Sequence, residues 1–418
     1  MKSLLILAIA SIGWACHGAV AEGVLIRGAT VHTVSAKGTL KNTDVLVHDG
    51  IITGIGPQAN LPAGITVIDA QGKELTPGLF GGLTDIGLQE IEEEPETIDS
   101  TLNTKAPAWQ QQWRPEFDVT QAYNPRSFVV PVTRIEGVTW TVLAPGNGDS
   151  IIGGQGAAVT LDGRFDAVLP GSHSLFVQMG GDGAKRAGGT RAAQYMLLEQ
   201  AVREARTAGP ESQGALLHAA GREALTRYLT GGRVVFEVDR AADILGVLRF
   251  AQRHGIKPVI SGGDEAWLVA KELAKANVPV IMDPLNDLPA DFDHLGASLE
   301  NAARLQRAGV TIAFSSGETP QARLVRQLAG NAVAHGLPWE SALAAITANP
   351  AEVFGLGLTR GRIAVGQVAD LVLWNGDPLE LSTLAEQVWI GGRAIDMKSR
   401  QTELRDRYLE KLKAHQAR

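Results

Sequence analysis

Apolar residues follow two kinds of pattern in this chain, short β-type runs at both ends and a strand–helix alternation between them. Runs rich in β-branched residues fill positions 24–75, and strand-like runs return at 361–374 and 388–393. The first set is separated by turn residues, namely Gly50, Gly56, Pro62 and Gly64. This arrangement is typical of strands joined by turns and predicts β-structure at both ends.

The central part, residues 77–356, alternates strand-like and helix-like patterns, which predicts an α/β unit with a parallel sheet. Its length suits a (β/α)8 barrel, which takes roughly 250 residues. The predicted strands are 79–84, 138–144, 157–161, 175–179, 234–238, 258–261, 278–282 and 310–315. The predicted helices are 191–206, 241–253, 265–276, 299–308, 321–335 and 341–348, followed by a charged C-terminal helix at 401–418.

Composition narrows the class of protein and its partners. The chain of 418 residues is long enough for one large barrel and a smaller domain. A hydrophobic content of 44%, 20% charged residues and a mean hydropathy of +0.02 are typical of a globular protein. The net charge of -7 and the pI near 5.8 argue against nucleic acid or an anionic membrane as the main partner.

The first residues have the pattern of an export signal. Lys2 precedes an apolar run at 4–15, and the small residues Ala19 and Ala21 form an A-x-A cleavage site. The run is too short to span a bilayer, so we expect no membrane span. Cleavage after Ala21 would remove residues 1–21, including Cys16, the only cysteine, and the mature chain would be periplasmic. Lipidation at Cys16 is the alternative, which the bulky Trp14 disfavours.

Three segments resemble the amidohydrolase superfamily, in particular imidazolonepropionase-like and related C–N hydrolases. Residues 75–85 resemble its first barrel strand, which ends Asp-x-His-x-His, although this chain has Leu83 and Asp85 at the two histidine positions. Residues 342–351 and 366–373 resemble the superfamily's closing segments. The resemblance implies a (β/α)8 TIM-type barrel and a small β-sandwich domain. It divides the chain into a signal peptide (1–21), the sandwich (22–76 and 357–400), the barrel (77–356) and a C-terminal helix or tail (401–418).

The resemblance also implies metal-dependent hydrolysis of a cyclic amide, amidine or related bond, but the ligands do not match. Where relatives have His-x-His on strand five, this chain has Glu237 and Asp239, and where they have Thr-Asp on strand eight it has Ser315 and Ser316. No two histidines form His-x-His. We interpret each as a surface or core histidine: His32, His48, His173, His218, His254, His294, His335 and His415. We therefore expect no zinc site built from clustered histidine or cysteine.

Acidic residues take the place of histidines at the predicted strand ends. The candidate pocket is Asp85, Glu237, Asp239, Asp264, Asp283, Ser316 and Glu318. Strand alternation puts Glu237 and Asp239 on one side of their strand. Such carboxylates could hold a weak Mg²⁺, Mn²⁺ or Ca²⁺, or form a metal-free pocket in which one carboxyl has a raised pKa. Structurally they could instead cap helices, the interpretation favoured for Asp264.

The segment 86–126 is long and irregular, and it follows the first barrel strand. It carries an acidic run, Glu90, Glu92, Glu93, Glu94 and Glu96, and two tryptophans, Trp109 and Trp113. A solvated surface explains the acidic run. For the tryptophans the position predicts a cover over the barrel mouth or a partner contact.

Two functions remain open from the sequence. The first is an exported protein of amidohydrolase type whose metal ligands are largely lost, acting as a binding protein or as partner of an active paralogue. The second is a hydrolase of non-peptide C–N bonds that uses a new acidic site. A purely structural role explains the acidic strand ends least well. A small-molecule ligand, an active paralogue or a second copy of the chain are the partners considered.

Overall fold

The computed structural model describes residues 23–58, 61–62, 64–91, 94–102, 113–146, 148–207, 209, 214–317 and 319–416. The predicted signal peptide with Cys16, the residues Glu92, Glu93 and Trp109, and the candidate Glu318 lie outside the described residues.

Seventeen strands and eleven α-helices are formed within the described ranges. The strands are β1 (Gly23–His32), β2 (Thr39–His48), β3 (Ile51–Ile55), β4 (Ile65–Asp69), β5 (Glu74–Pro77), β6 (Leu79–Thr84), β7 (Val138–Leu143), β8 (Ile152–Gly156), β9 (Ala158–Thr160), β10 (Ser174–Gln178), β11 (Arg233–Val238), β12 (Lys257–Gly262), β13 (Val280–Met282), β14 (Ile312–Phe314), β15 (Leu371–Trp374), β16 (Ala385–Ile390) and β17 (Arg393–Ala394). The helices are α1 (Val129–Arg134), α2 (Gly180–Arg186), α3 (Arg191–Arg206), α4 (Ala219–Leu229), α5 (Ala241–His254), α6 (Ala270–Lys275), α7 (Asn301–Arg307), α8 (Val325–Ala334), α9 (Trp339–Ala345), α10 (Ala348–Val353) and α11 (Arg400–Gln416). Short 3-10 helices include Val119–Ala122, Ala266–Val269 and Thr319–Leu324.

The two ends of the chain share one sheet. Its strand order is β17-β16-β15-β5-β1-β2-β3, with β4 beside β1. The junction is the antiparallel pairing of β15 with β5, in which Leu371 lies opposite Pro77 and Leu373 opposite Leu75. Leu75, Leu371 and Leu373 lie in one buried apolar cluster with residues of β1 and β2. Burial of these side chains holds the distant segments together, because apolar area removed from water stabilises by about 25 cal/mol per Å².

The central strands are mostly parallel. Strands β10 to β14 run parallel in the order β10-β11-β12-β13-β14, and β6 runs parallel to β7 in a second sheet. Two strands depart from the predicted pattern. Strand β9, predicted as a parallel strand at 157–161, pairs antiparallel with β7, and the unpredicted β8 pairs antiparallel with β10. A parallel pairing needs a crossover connection, usually a helix, and the described residues between β7 and β9 contain no helix.

Both central sheets contribute to one apolar interior. Phe80 of β6 and Trp140 of β7 lie in the same buried cluster as Val235, Val259 and Ala313 of β11, β12 and β14. Strand β6 is also bonded to the chain just after β14, since the Leu83 amide donates to Ser315 Oγ at 2.9 Å. The molecule is thus an α/β protein with mixed sheets, in which hydrogen-bonded pairing forms two central sheets around a shared core.

Helices cover the outside of these sheets. The predicted helices 191–206 and 241–253 are confirmed as α3 and α5. Thr190 caps α3 by accepting from the Ala193 amide at 3.1 Å, and α5 ends at Gly255, whose φ of 71° suits glycine. The predicted helix 265–276 is instead the 3-10 turn Ala266–Val269 followed by α6. None of the described helices combines the length and apolar character that crossing a bilayer requires.

Candidate functional site

A cavity of about 1040 Å³ lies where the parallel strands end. At least one residue at or just after the C-terminal end of each parallel strand lines it: Thr84, Ala144, Val177, Glu237, Ser261, Met282 and Ser315. Side chains from the C-terminal ends of parallel strands meet at one face of a barrel or open sheet, which is where such folds bind ligands. Helices α1 and α11 form another part of its wall.

Most of the predicted candidates meet in this cavity. Asp85, Glu237, Asp239, Asp283 and Ser316 all line it. Asp264 lies behind the wall with only 3% of its surface exposed, and its carboxylate contacts a residue of the lining. The sequence therefore located the acidic region, although its members have different surroundings.

Strand β11 shows how the backbone presents these carboxylates. Val235, Glu237 and Asp239 line the cavity, whereas Val234 and Phe236 pack into the apolar layer shared with the helices. The prediction that Glu237 and Asp239 lie on one side of the strand is confirmed, and its cause is the two-residue repeat of an extended chain.

An imidazole that the sequence did not indicate completes the acidic group. His294 Nδ1 lies 2.6 Å from Asp264 Oδ2, and His294 Nε2 lies 3.9 Å from Asp239 Oδ2. Each of the three residues offers one ligand atom such that these atoms lie within 4.8 Å of one another. The position of His294 in the cavity lining, beside two carboxylates, does not support its interpretation as a surface or core histidine. It lies in the irregular connection between β13 and α7, where no periodic pattern indicates the direction of a side chain.

Asp264 does not cap a helix, so that interpretation is also wrong. Its carboxylate accepts from Asn286 Nδ2 at 3.4 Å and contacts His294. The neighbouring Glu265 serves a helix start instead, since its Oε2 accepts from the Ala241 amide, the first of α5, at 3.0 Å. Asp264 is therefore directed into the site.

The connection that carries His294 is held from behind by ion pairs. Asp293 accepts from the Gly181 amide at 2.5 Å and forms a close ion pair with Arg191. Arg191 also binds Asp243 of α5 at 2.8 Å. Since Asp243 and Asp293 are both buried, these contacts fix the backbone on which the imidazole is mounted.

Burial and the charges of neighbouring groups shift the pKa values of three residues in the site. Burial and the adjacent Asp264 carboxylate raise the pKa of Asp239 to about 7. Burial also raises the pKa of Asp283. For His294 burial acts downward, but the hydrogen bond to Asp264 and the charge of Asp239 outweigh it, and the pKa is raised. The group thus favours a positive charge among its carboxylates, either a protonated imidazole or a bound cation.

The donor set fits a divalent metal ion. Two carboxylates and one imidazole are ligands that Zn²⁺ and Mn²⁺ accept. The expectation of no zinc-type site rested on the lack of clustered histidines and cysteines, and this group of two carboxylates and one imidazole does not support it. The weak divalent cation considered for the acidic strand ends stays possible.

On the opposite side of the cavity, several polar groups are hydrogen-bonded to one another. Asp85 exchanges two hydrogen bonds with Thr319: its amide donates to Thr319 Oγ1 at 2.8 Å, and the hydroxyl donates to its carboxylate. Ser315 Oγ accepts from the amides of Leu83 and Gly317 at 2.9 and 3.2 Å. Leu83 is a buried apolar side chain. These positions tie β6 to the chain after β14.

The irregular segment 86–126 contributes to the cavity without its described tryptophan. Gln89, Glu90 and Ser100 line the cavity. Trp113 is buried, 5% exposed, and its amide donates to the Leu216 carbonyl at 2.7 Å, away from the lining. For Trp113 the predicted cover over the mouth is wrong, because the indole packs into the helical layer.

Three histidines lie away from the cavity, as predicted. His32, His173 and His254 are close to Glu74, Asp118 and Glu199, respectively, and none of the three lines the cavity.

Comparison with known proteins places these observations in a family context. The sequence profile of the amidohydrolase family matches residues 159–395. Imidazolonepropionase of Chromobacterium violaceum is 27% identical over 395 residues, covering 82% of this chain and 88% of that protein. Imidazolonepropionase of Aromatoleum aromaticum is 38% identical over 100 residues, covering 22% of this chain and 24% of that protein. The crystal structure of an amidohydrolase from Thermotoga maritima MSB8 has a TM-score of 0.75 and 24% identity, covering 90% of this chain and 100% of that chain.

Proposed function

Because this chain belongs to the amidohydrolase family, we propose that it is an exported hydrolase of non-peptide C–N bonds with a reorganised cation site. Asp239, Asp264 and His294 form that site, and their convergence at the wall of one cavity is the observation that carries the proposal. The similarity to imidazolonepropionase supports a cyclic amide or related substrate. The parallel strands and the likeness to the Thermotoga maritima amidohydrolase support a (β/α)8-type barrel across residues 77–356.

Different residues would bind the cation, orient its ligands and transfer the proton during hydrolysis. Asp239, Asp264 and His294 would hold a divalent cation, which polarises a carbonyl and lowers the pKa of water. Asn286 and the ion-paired Asp293 orient two of these ligands. Asp283, with its raised pKa, lines the cavity and would take the proton from the attacking water and return it to the leaving nitrogen.

Export is supported by the N-terminal pattern alone. The charged Lys2, the apolar run 4–15 and the A-x-A at Ala19 to Ala21 favour a cleaved signal and a periplasmic protein.

Metal binding by the full chain tests the proposal most directly. After treatment with a chelator, the protein is titrated calorimetrically with Mn²⁺ and Zn²⁺, and hydrolysis of a cyclic amide panel is measured with each ion. We expect one cation per chain and metal-dependent hydrolysis. His294→Gln should weaken cation binding at least about 100-fold, since it removes a ligand. Asp287→Asn, an exposed change in the same connection, is the matched control and should leave binding unaltered. Equal affinity in the wild type and His294→Gln would refute the site.

The residues of β6 and of the chain after β14 favour a second function. Leu83 and Asp85 occupy the positions of the superfamily's first two metal ligands, and Ser315 and Ser316 stand where its catalytic aspartate would lie. These substitutions favour a binding protein or a partner of an active paralogue. Cation binding without hydrolysis of any panel member, together with stable association with a paralogue, would support this second function over the first.

A further inference from the structure

The charged residues of the cavity lining include two arginines as well as several carboxylates. Five carboxylate side chains line the cavity, those of Asp85, Glu90, Glu237, Asp239 and Asp283. Arg323, from the 3-10 helix Thr319–Leu324, and Arg400, the first residue of α11, line the same cavity. The charges on the lining are therefore of both signs.

The two arginines belong to neighbouring elements. Both the Thr319–Leu324 helix and α11 pack against α1, so Arg323 and Arg400 enter the lining from elements that share one neighbour. Val129 and Val132 of α1 and Leu404 of α11 add apolar side chains to the same lining. The carboxylates of Glu237, Asp239 and Asp283 come from the ends of β11 and β13 instead.

Neither arginine is used by the fold as an ion-pair partner. Arg323 donates from Nε to the Pro320 carbonyl at 3.4 Å, and no carboxylate of the described residues pairs with Arg323 or Arg400. In contrast, Arg191 and Arg360 each form ion pairs with buried carboxylates. Two arginines that line a cavity without a carboxylate partner among the described residues retain donors that recognise an anion, because a guanidinium presents five N–H groups suited to a carboxylate.

We propose that Arg323 and Arg400 bind the carboxylate of an elongated amide substrate whose C–N bond reaches the Asp239, Asp264 and His294 group. This inference rests on the proposed function and adds the substrate class to it. The cavity volume of about 1040 Å³ accommodates a drug-sized ligand. The apolar wall of Val129, Val132 and Leu404 would contact the middle of such a molecule. The five carboxylates of the lining would repel a doubly charged phosphate more than a singly charged carboxylate, which selects the latter.

A matched pair of probes tests this recognition in the full chain. N-(3-phenylpropanoyl)glycine carries the carboxylate, and its primary carboxamide differs by the loss of that charge. Binding of each is measured by calorimetry in a chelator at low ionic strength, where turnover through a cation does not occur. Wild-type protein should bind the acid at least about tenfold more tightly than the amide, since hydrogen bonds to charged groups are the stronger kind.

Charge-removing variants assign the preference to the two arginines. Arg323→Gln and Arg400→Gln should each weaken the acid about tenfold and leave the amide unaffected, and the double variant should bind both probes alike. Arg249→Gln, an exposed change on α5 outside the lining, removes the same charge and should keep the preference. If the double variant fails to fold, the two single variants decide the outcome.

Two results would overturn the inference: a wild-type protein that shows no preference for the acid, including one that binds neither probe, or a preference that survives in the double variant. Hydrolysis is followed separately with Mn²⁺ present. A carboxylate preference that depends on the arginines, without any hydrolysis, would contradict the proposed reaction while supporting this recognition site.

Discussion

The two sides of the cavity use the same kinds of residue for different purposes. On the side of β6 and β14, Asp85 and Ser315 are bonded to neighbouring backbone or hydroxyl groups, and Leu83 is buried in the apolar core. On the side of β11, β12 and β13, Asp239 and Asp264 face an imidazole and one another, at the cost of a raised pKa for Asp239. Polar side chains stabilise the fold on the first side and form a cluster of carboxylates around one imidazole on the second.

This difference shows that missing family ligands do not by themselves mean a missing site. A carboxylate whose hydrogen bonds are satisfied within the fold contributes to stability and has little capacity left for a ligand. A cluster of carboxylates that repel one another is instead stabilised when it binds a cation or a proton. The first side should therefore respond to mutation through stability, and the second through binding and pH.

The largest effect should come from breaking the ion pair that holds the connection carrying His294. Arg191→Met leaves the buried Asp293 without its ion pair, whereas Asp243 keeps Arg240 at 3.1 Å. We expect a loss of about 3 kcal/mol in the free energy of unfolding, the lower end for breaking a buried pair. Since Asp293 precedes His294, cation affinity should also fall about tenfold. Urea denaturation and calorimetry measure the two effects.

The exposed Arg249→Met serves as its control, with neither effect expected. A variant at Arg191 that lost stability but kept full cation affinity would show that the ion pairs do not position the imidazole.

A smaller effect, on stability alone, is expected from a substitution on the side of β6 and β14. Leu83→Ala removes a core side chain that is 8% exposed, and we expect a loss of about 2 kcal/mol, the lower end for such a change. Cation affinity should stay within twofold of the wild type, because Leu83 contributes no ligand. Thermal or urea unfolding together with Mn²⁺ titration tests this, and a large fall in affinity would mean that the two sides are not independent.

The smallest effect is a pH-dependent gain in stability on the second side. The folded-state pKa of Asp239, about 7, exceeds the ordinary value of 3.8, so the folded protein binds its proton more tightly than the unfolded chain. Stability from this group is therefore full below pH 4, falls as the pH rises towards 7 and stays lowered above it. Asp264, His294 and Glu237 are the charged neighbours that set this balance.

Asp239→Asn abolishes that titration. In a chelator at pH 8 the variant should be more stable than the wild type by roughly 1 kcal/mol, and the difference should shrink towards pH 4. Urea denaturation across this range measures it, with the exposed Asp287→Asn as the matched control. A constant difference for Asp239→Asn, or a loss of stability at pH 8, would show that the carboxylate is well satisfied in the fold.

Local sequence was sufficient for many of the regular elements and for part of the site. The strand β6 follows from residues 79–84, and α3 follows from 191–206, because side-chain periodicity and capping are properties of neighbouring residues. The same periodicity put Glu237 and Asp239 on one face of β11. The strand β9 was predicted, but its antiparallel direction was not, because a run of apolar residues does not encode the direction of its partner strand.

The sequence by itself determined the resemblance to the family, the elements with clear periodicity and the acidic strand ends, since each depends on residues close together in the chain. Only the tertiary structure decided that His294 joins Asp239 and Asp264, that Trp113 packs among the helices, and that Asp85 is bonded to Thr319. These contacts join irregular segments far apart in sequence, where no repeat fixes the direction of a side chain. The chemistry of the site depends on such contacts, because a ligand set is defined by distances in space and not by spacing along the chain.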